Sequence, residues 1–263
     1  MPWTPHMLSL FLVATAPRAW SSQNVAAVEA IMASGGDGPG SMPGHQNLLL
    51  EEVAPPLLTR EDDFDVQDFS RQDESDDRYF YSQERLVTHI DDAAIERLTV
   101  HYAQLIHQQR KVPGFGSVRK VRVLDICSSW ISHLPPGDPQ LEVVGLGMNE
   151  GELSKNSQLS SYVVMNLNAA AADPAVPLRL PFDSDSFDLV LNSVSVDYLA
   201  RPLAVFRELH RVLRPGTGVL ANTFSNRFFP TKVIRRWYRA SDMERLRIVG
   251  SYFAATSGVE DQE

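Results

Sequence analysis

Between Val121 and Phe224 the chain alternates short, apolar, β-branched runs with segments whose apolar residues recur at helical spacing. That alternation limits its folds more than any other feature. The runs are Val121 to Asp125, Leu141 to Leu146, Tyr162 to Met165, Phe187 to Leu191 and Gly218 to Phe224. Between them, helices are expected near Glu150 to Gln158 and from about Arg201 to Leu213. The second has Leu199, Leu203, Phe206 and Leu213 on one face and stops at Arg214-Pro215-Gly216. Strands alternating with helices form βαβ units, and so a parallel α/β sheet buried on both faces. A further helix precedes the first run. Asp91 or Asp92 caps it, Ile95, Leu98, Tyr102 and Leu105 give its apolar face, and Pro113-Gly114-Phe115-Gly116 ends it.

The first strand leads into Cys127-Ser128-Ser129-Trp130-Ile131-Ser132-His133-Leu134-Pro135. A strand, a tight turn and a helix make the usual entry to a ligand site in open α/β sheets. Glycines normally let the backbone approach the ligand there. This turn has none: Cys127, Ser129 and Ile131 stand in those places, while the strand-end acid Asp125 remains. Asp125 either orients the turn and meets a ligand, or simply caps the turn. Cys127, Ser128 and Ser129 are expected to offer backbone N–H groups at a helix start.

With 43% hydrophobic residues the chain carries a packed core. A net charge of −9 speaks against a surface that tracks nucleic-acid phosphates. The single cysteine, Cys127, excludes an intrachain disulfide and a cysteine-based zinc site, and no metal site is expected. The apolar run Met7 to Ala16 is too short for a membrane helix, which needs about 20 residues. It reads either as part of a signal or transit segment or as an unstructured start. Residues 1–60 are therefore expected to be targeting-like or disordered, with linker composition from about Ser21 to Arg60. Residues 61–116 form an acidic, aromatic lead-in and a helix; the lead-in is expected to pack on the domain because Phe64, Phe69, Tyr79, Phe80 and Tyr81 interrupt its acids. The catalytic-type domain is expected over 117–257, with a tail at 258–263. The location implied is inside the cell, in the cytoplasm or an organelle.

Four segments, in order, resemble the class I S-adenosylmethionine-dependent methyltransferases of the type 11 group. They are Val123-Leu124-Asp125, Leu180 to Val190 (LPFDSDSFDLV), Phe206 to Gly216 (FRELHRVLRPG) and the strand Gly218 to Phe224. A narrower likeness, to an uncharacterised subgroup with a glycine-poor SSW–SHLP turn, adds Phe69 to Ser75, Tyr79 to Tyr81, Val87 to Asp92, Cys127 to Pro135, Gly145 to Asn149 and Thr223 to Pro230. It supplies no substrate.

The resemblance implies a Rossmann-like parallel sheet sandwiched by helices and S-adenosylmethionine as cofactor. It also implies two C-terminal strands that have no candidate here, so the edge of the fifth strand is expected to be open or covered by a homo-oligomer or partner. Cofactor-lining positions fall at Asp125, Cys127, Ser128, Ser129, Gly145, Gly147, Met148, Asn149, Asn166, Leu167, Asn192, Ser193 and Val194. The ribose acid is replaced by Gly147, leaving Asn149 or Glu150 to take the hydroxyls, unless Asn149 only caps a helix. Asn166 is expected to meet the adenine amino group through its carbonyl oxygen. Asp197, Tyr198 and His89 are the catalytic candidates, with Tyr81 and His133 beside them. Lys232, Arg235, Arg236, Arg239, Arg245 and Arg247 point to an anionic acceptor or to a solvated face. The function expected is methyl transfer to a small molecule, with neither nucleic acid nor stable membrane insertion involved. The competing expectation is a non-catalytic binding or regulatory module on the same fold.

Overall fold

The computed structural model describes residues 10–17, 27–32, 46–49, 57–116 and 118–256. Three strands come first: β1 (Leu10–Pro17), β2 (Ala27–Met32) and β3 (Gln46–Leu49). Five follow where the sequence pattern predicts them: β4 (Val121–Ile126), β5 (Leu141–Gly147), β6 (Ser161–Val164), β7 (Leu189–Ser193) and β8 (Val219–Phe224). All eight share one sheet in the order β3-β2-β1-β8-β7-β4-β5-β6. Strands β4 to β8 are mutually parallel, with Asp125 beside Gly145 and Leu191, and Asn192 beside Asn222. Their ends open on a common edge.

The helices are α1 (Asp77–Phe80), α2 (Asp92–Arg110), α3 (Glu150–Lys155), α4 (Leu167–Ala170), α5 (Pro202–Val212), α6 (Arg235–Tyr238) and α7 (Asp242–Thr256). Asp91 caps α2, its Oδ1 accepting from the Ala94 amide at 3.0 Å. Leu98, Tyr102, Leu105 and Ile106 of α2 pack with Val121, Val123, Leu189 and Leu191 on one face of the sheet. On the other face Phe206, Leu209, Tyr252 and Phe253 of α5 and α7 pack against Leu124, Val190 and Leu220. Each strand alternates its side chains between these two cores, so the apolar runs are nearly continuous, as in a sheet covered on both sides. This is the Rossmann-like α/β fold.

The structure departs from expectation in two places. No helix follows β4: Cys127 to Gln140 runs without regular structure into β5. Pro135, Pro136 and Pro139 lack the amide hydrogen a helix needs, and Gly137 adopts φ +72°. The edge of β8 is also closed rather than open. β1 pairs antiparallel with β8, Val13 opposite Thr223 and Thr15 opposite Ala221, and β2 and β3 continue the sheet. Among the described residues no strand follows β8, so these strands stand where the resemblance puts C-terminal ones. A short apolar, β-branched run satisfies a strand edge as readily as it makes a leader, which is why Leu10 to Ala16 was ambiguous in sequence. β2 and β3 likewise fall in the stretch with linker composition. The rest of residues 1–56 and the tail at 258–263 lie outside the described residues.

Candidate active site

One cavity lies at the C-terminal ends of β4 to β7, where open α/β sheets bind their ligands. The loop after β4 forms one wall. Cys127 occupies left-handed space, φ +53°, so this turn keeps a glycine-type backbone with a side-chain-bearing residue. Ser128 and Ser132 each donate a hydroxyl hydrogen bond to Asp125 Oδ2, at 2.6 and 2.7 Å. Asn156 ties the same loop down through the Ser129 carbonyl (2.9 Å) and Ser132 Oγ (2.8 Å). Gln158 donates to the Leu134 carbonyl at 2.6 Å and accepts from the Ser132 amide at 3.1 Å. Side chains therefore do here what a helix does elsewhere.

That loop explains Gly147. A Cβ there would lie 2.2 Å from the Ser128 carbonyl oxygen, so the strand end where an acid was expected has no room for any side chain. The Ser128 amide is also committed, donating to the Leu146 carbonyl at 2.9 Å. It is not part of a helix start offered to a ligand, which corrects the expectation for Ser128. Instead Ser129 Oγ donates to Glu152 Oε2 at 2.6 Å. Glu152, one turn into α3, brings a carboxylate back to the cavity wall beside the acid-free end of β5.

Both asparagines expected to replace missing acids are helix caps. Asn149 Oδ1 accepts from the Glu152 amide at 3.1 Å, and its Nδ2 donates to the Tyr81 carbonyl at 2.9 Å. Asn166 Oδ1 accepts from the Ala169 amide at 3.1 Å. The carbonyl oxygen expected to read an adenine amino group is thus already used, although both residues do line the cavity.

The opposite wall is the acidic, aromatic lead-in, which packs on the domain as its aromatics predicted. Residues 70–91 run as a strap across the strand ends. The Arg85 amide donates to Glu152 Oε1 at 2.7 Å, and Trp130 Nε1 donates to the Val87 carbonyl at 3.1 Å. The strap is anchored on buried charge. Asp77 accepts from Arg71 Nη1 at 2.8 Å and Asn168 Nδ2 at 2.8 Å, and faces Lys232 Nζ at 3.1 Å. Lys232, fully enclosed, also donates to the Ser75 carbonyl at 2.9 Å. Aromatic rings fill the space between strap and domain: Phe229 meets Phe80 at 5.3 Å, His89 at 5.5 Å and Tyr198 at 5.8 Å.

Of the expected cofactor positions, Asp125, Cys127, Ser128, Ser129, Gly147, Met148, Asn149, Asn166, Leu167, Ser193 and Val194 line this cavity. Gly145 does not; a Cβ there would meet Leu159 Cδ1 at 2.6 Å, so it serves packing. Asn192 is fully buried in β7 and does not line it either. Val194 follows at φ +52°, rare for a β-branched residue. Among the described residues, three of the four non-glycine residues with positive φ (Cys127, His133 and Val194) line this one cavity. Each such residue costs about 1–3 kcal/mol, and such strain gathers at working sites.

Of the catalytic candidates, Tyr198 and His89 line the cavity, with Tyr81 and His133, while Asp197 does not. Burial pushes the Asp197 carboxyl up to about 8, so it is protonated at neutral pH and poorly suited to act as a base. Burial likewise raises the Tyr81 and Tyr198 phenols and takes the Cys127 thiol up to about 12. Burial holds both imidazoles below their ordinary value, His133 at about 4 with His89 adding to the effect. Three of the basic residues after Phe224 are held in ion pairs. Lys232, Arg236 and Arg245 pair with Asp77, Asp68 and Asp242 respectively.

Sequence reasoning missed Glu152, Arg85 and Phe229 as cavity residues. Only Glu152 left a usable signal, as an acid one turn after a helix cap.

The residues present suit a cofactor with a planar base, hydroxyls and a cationic sulfur. Met148, Met165 and Leu167 offer apolar walls, Asp125 and Glu152 offer acceptors, and Tyr81, Tyr198 and Phe229 give electron-rich rings. A family model described as a methyltransferase domain matches residues 129–221. That stretch, from the loop after β4 into β8, is similar to the class I, type 11 methyltransferases, whose methyl donor is S-adenosylmethionine.

Among known proteins, the chain is similar to a malonyl-[acyl-carrier protein] O-methyltransferase from Marinomonas sp. (strain MWYL1). The two are 34% identical over 68 residues, which is 26% of this chain and 25% of that protein. The chain thus matches only a quarter of that relative's length. Among solved structures it is similar to an S-adenosylmethionine-dependent methyltransferase from Aquifex aeolicus, with 17% identity, TM-score 0.36, and coverage of 62% of this chain and 88% of that one. It is also similar to the [4+2]-cyclase SpnF, with 18% identity, TM-score 0.40, and coverage of 65% and 62%.

Proposed function

We propose that the chain transfers a methyl group from S-adenosylmethionine to a small-molecule acceptor. The observation that carries this is the convergence of Cys127, His133 and Val194, all strained, on one cavity at the strand ends of a methyltransferase-type domain. In this reading Glu152 takes the ribose hydroxyls, a role that neither Gly147 nor the capped Asn149 fills. Met148, Met165 and Leu167 enclose the base. Asp125 holds the Ser128–Ser132 loop in shape and acts on the cofactor through that loop. When bound, the cofactor supplies an activated methyl group. The chain's own work is to position an acceptor against it and exclude water. The strap does this on the acceptor side, where its Tyr81 and His89 meet the domain's Tyr198 and Phe229 at the cavity wall.

No helix among the described residues is long and apolar enough to cross a membrane. Dependence on S-adenosylmethionine suits a compartment inside the cell. The test is transfer of a labelled methyl group from S-adenosylmethionine to a panel of phenols, amines, thiols and carboxylic acids. Label is expected in one chemical class. A folded chain that transfers none and binds no S-adenosylmethionine overturns the reading in favour of a non-catalytic module.

A further inference from the structure

We propose that the groove between the start of the strap and α6 binds the phosphate group of a small organic phosphate monoester, and that this ligand steadies the strap. The site goes beyond the methyltransferase reading and shares no lining residue with the cavity.

Ser70, Arg71 and Gln72 line the groove on one side, and Arg235, Tyr238 and Arg239 on the other. Among the described residues no Asp or Glu lines it. That is a departure for a chain with 33 acids against 24 lysines and arginines. The cavity, by contrast, is lined by Asp77, Asp125 and Glu152.

The acids close in sequence to the strap side are already matched with cations. Asp68 accepts from Arg236 at 2.9 Å, Asp73 faces Lys232 at 3.1 Å and Glu74 faces Arg71 at 3.5 Å. Arg71 is committed as well, its Nη1 donating to Asp77 at 2.8 Å. Arg235 and Arg239 differ. Both are exposed, and neither has an acidic partner among the described residues. They stand four apart at the turn of α6, where like charges repel. The side-chain amide of Gln72 and the hydroxyl of Tyr238, also exposed, have no hydrogen-bond partner among the described residues.

Two guanidinium forks, an amide and a phenol thus surround one groove with their donors unused. A phosphate monoester matches that set. It carries about −1.5 to −2 charges at pH 7 and three acceptor oxygens, and guanidinium groups bind it bidentately. The Tyr238 ring, 55% exposed, and the exposed Pro230 give apolar surface to the organic part of the ligand.

The groove is also the join between strap and domain. The Arg235 amide donates to the Ser70 carbonyl at 2.8 Å, and Arg71 and Ile234 form an antiparallel bridge. A phosphate held by Gln72 from the strap and by Arg235 and Arg239 from the domain spans that join. A ligand that binds only the joined form stabilises it by mass action.

The test titrates the full chain, in chloride at constant ionic strength, with phenyl phosphate, inorganic phosphate and hexaglutamate. The readout is the Cζ resonances of carbon-13-labelled arginine. Phenyl phosphate is expected to saturate the chain at about 10 mM or below, and to bind about threefold or more tighter than inorganic phosphate. It should move the two resonances that Arg235→Gln and Arg239→Gln each remove. The double variant is expected to keep the melting temperature and to lose about tenfold or more in affinity. Arg179→Gln, which removes an arginine 69% exposed and outside the groove, should leave binding unchanged. With phenyl phosphate bound, hydrogen exchange of the strap amides from Ser70 to Asp77 should slow by about threefold or more. Four results overturn the proposal: no saturable binding of phenyl phosphate, binding indifferent to Arg235 and Arg239, hexaglutamate or inorganic phosphate binding better than phenyl phosphate, or binding that leaves strap exchange unchanged.

Discussion

Along one side of the cavity, the loop after β4 is held by neutral donors that close on the Asp125 carboxylate. Along the other, the strap is held by the buried charges of Arg71, Asp77 and Lys232. The first wall is a substitute: serine hydroxyls and the amides of Asn156 and Gln158 replace a helix. The second is an addition, a segment before the sheet drawn across the strand ends. Hydrogen bonds to neutral partners each contribute modestly, and losing one is tolerable. Buried ion pairs are costly to break from one side only, because the remaining charge is stranded. The two walls should therefore answer mutation on different scales.

The largest effect is expected from Lys232→Ala, which strips a fully enclosed cation from Asp77 and Asp73. Chemical denaturation should show a loss of about 3–5 kcal/mol. A loss below about 1 kcal/mol would mean that the strap is not anchored by charge. Next comes Gly147→Ala, whose Cβ would meet the Ser128 carbonyl at 2.2 Å. Backbone must move, so about 1–3 kcal/mol should be lost, together with cofactor affinity. Unchanged stability and affinity would show that the loop after β4 does not press on β5.

Asp125→Asn probes the first wall by pH. Burial raises the Asp125 pKa to about 6. The native state therefore binds its proton more tightly than the unfolded chain. This contribution to stability is fully present below the unfolded value of about 4 and is lost as pH rises through 6. The Asn variant should then be more stable than the parent at pH 8 by up to about 2–3 kcal/mol, and the gain should shrink toward pH 4. A gain that does not vary with pH would contradict a buried, desolvated carboxylate. The smallest effect is expected for Cys127→Gly. Relief of the left-handed strain offsets the added freedom of the unfolded chain, leaving stability within about 1 kcal/mol. Ser129→Gly should instead lose about 1 kcal/mol, because it removes the bond to Glu152.

The parallel strands were legible in the sequence because burial on both faces writes itself as continuous apolar runs. β4 to β8 fall within a residue or two of where Val121, Leu141, Tyr162, Phe187 and Gly218 begin their runs. The α2 cap at Asp91 was legible too, since capping is local chemistry. The first wall was not. Whether Ser128 faces a ligand or Asp125, and whether Asn149 meets a ribose or caps α3, depends on how closely two strand ends approach. Sequence spacing does not carry that distance. Gly147 shows the difficulty: read along the chain it is a missing acid, yet the Ser128 carbonyl leaves room for nothing else. The closing strands β1 to β3 were missed because their order in the chain is the reverse of what the resemblance implies.

The central claim is that the cavity between the two walls holds the methyl donor, with Glu152 in place of the missing strand-end acid. Titration calorimetry of the full chain with S-adenosylhomocysteine tests it most directly. The account predicts saturable one-site binding that weakens about tenfold or more in Glu152→Ala and survives Asn149→Ala to within a few-fold. No heat of binding at about 1 mM ligand from a folded sample, or binding indifferent to Glu152, would contradict it.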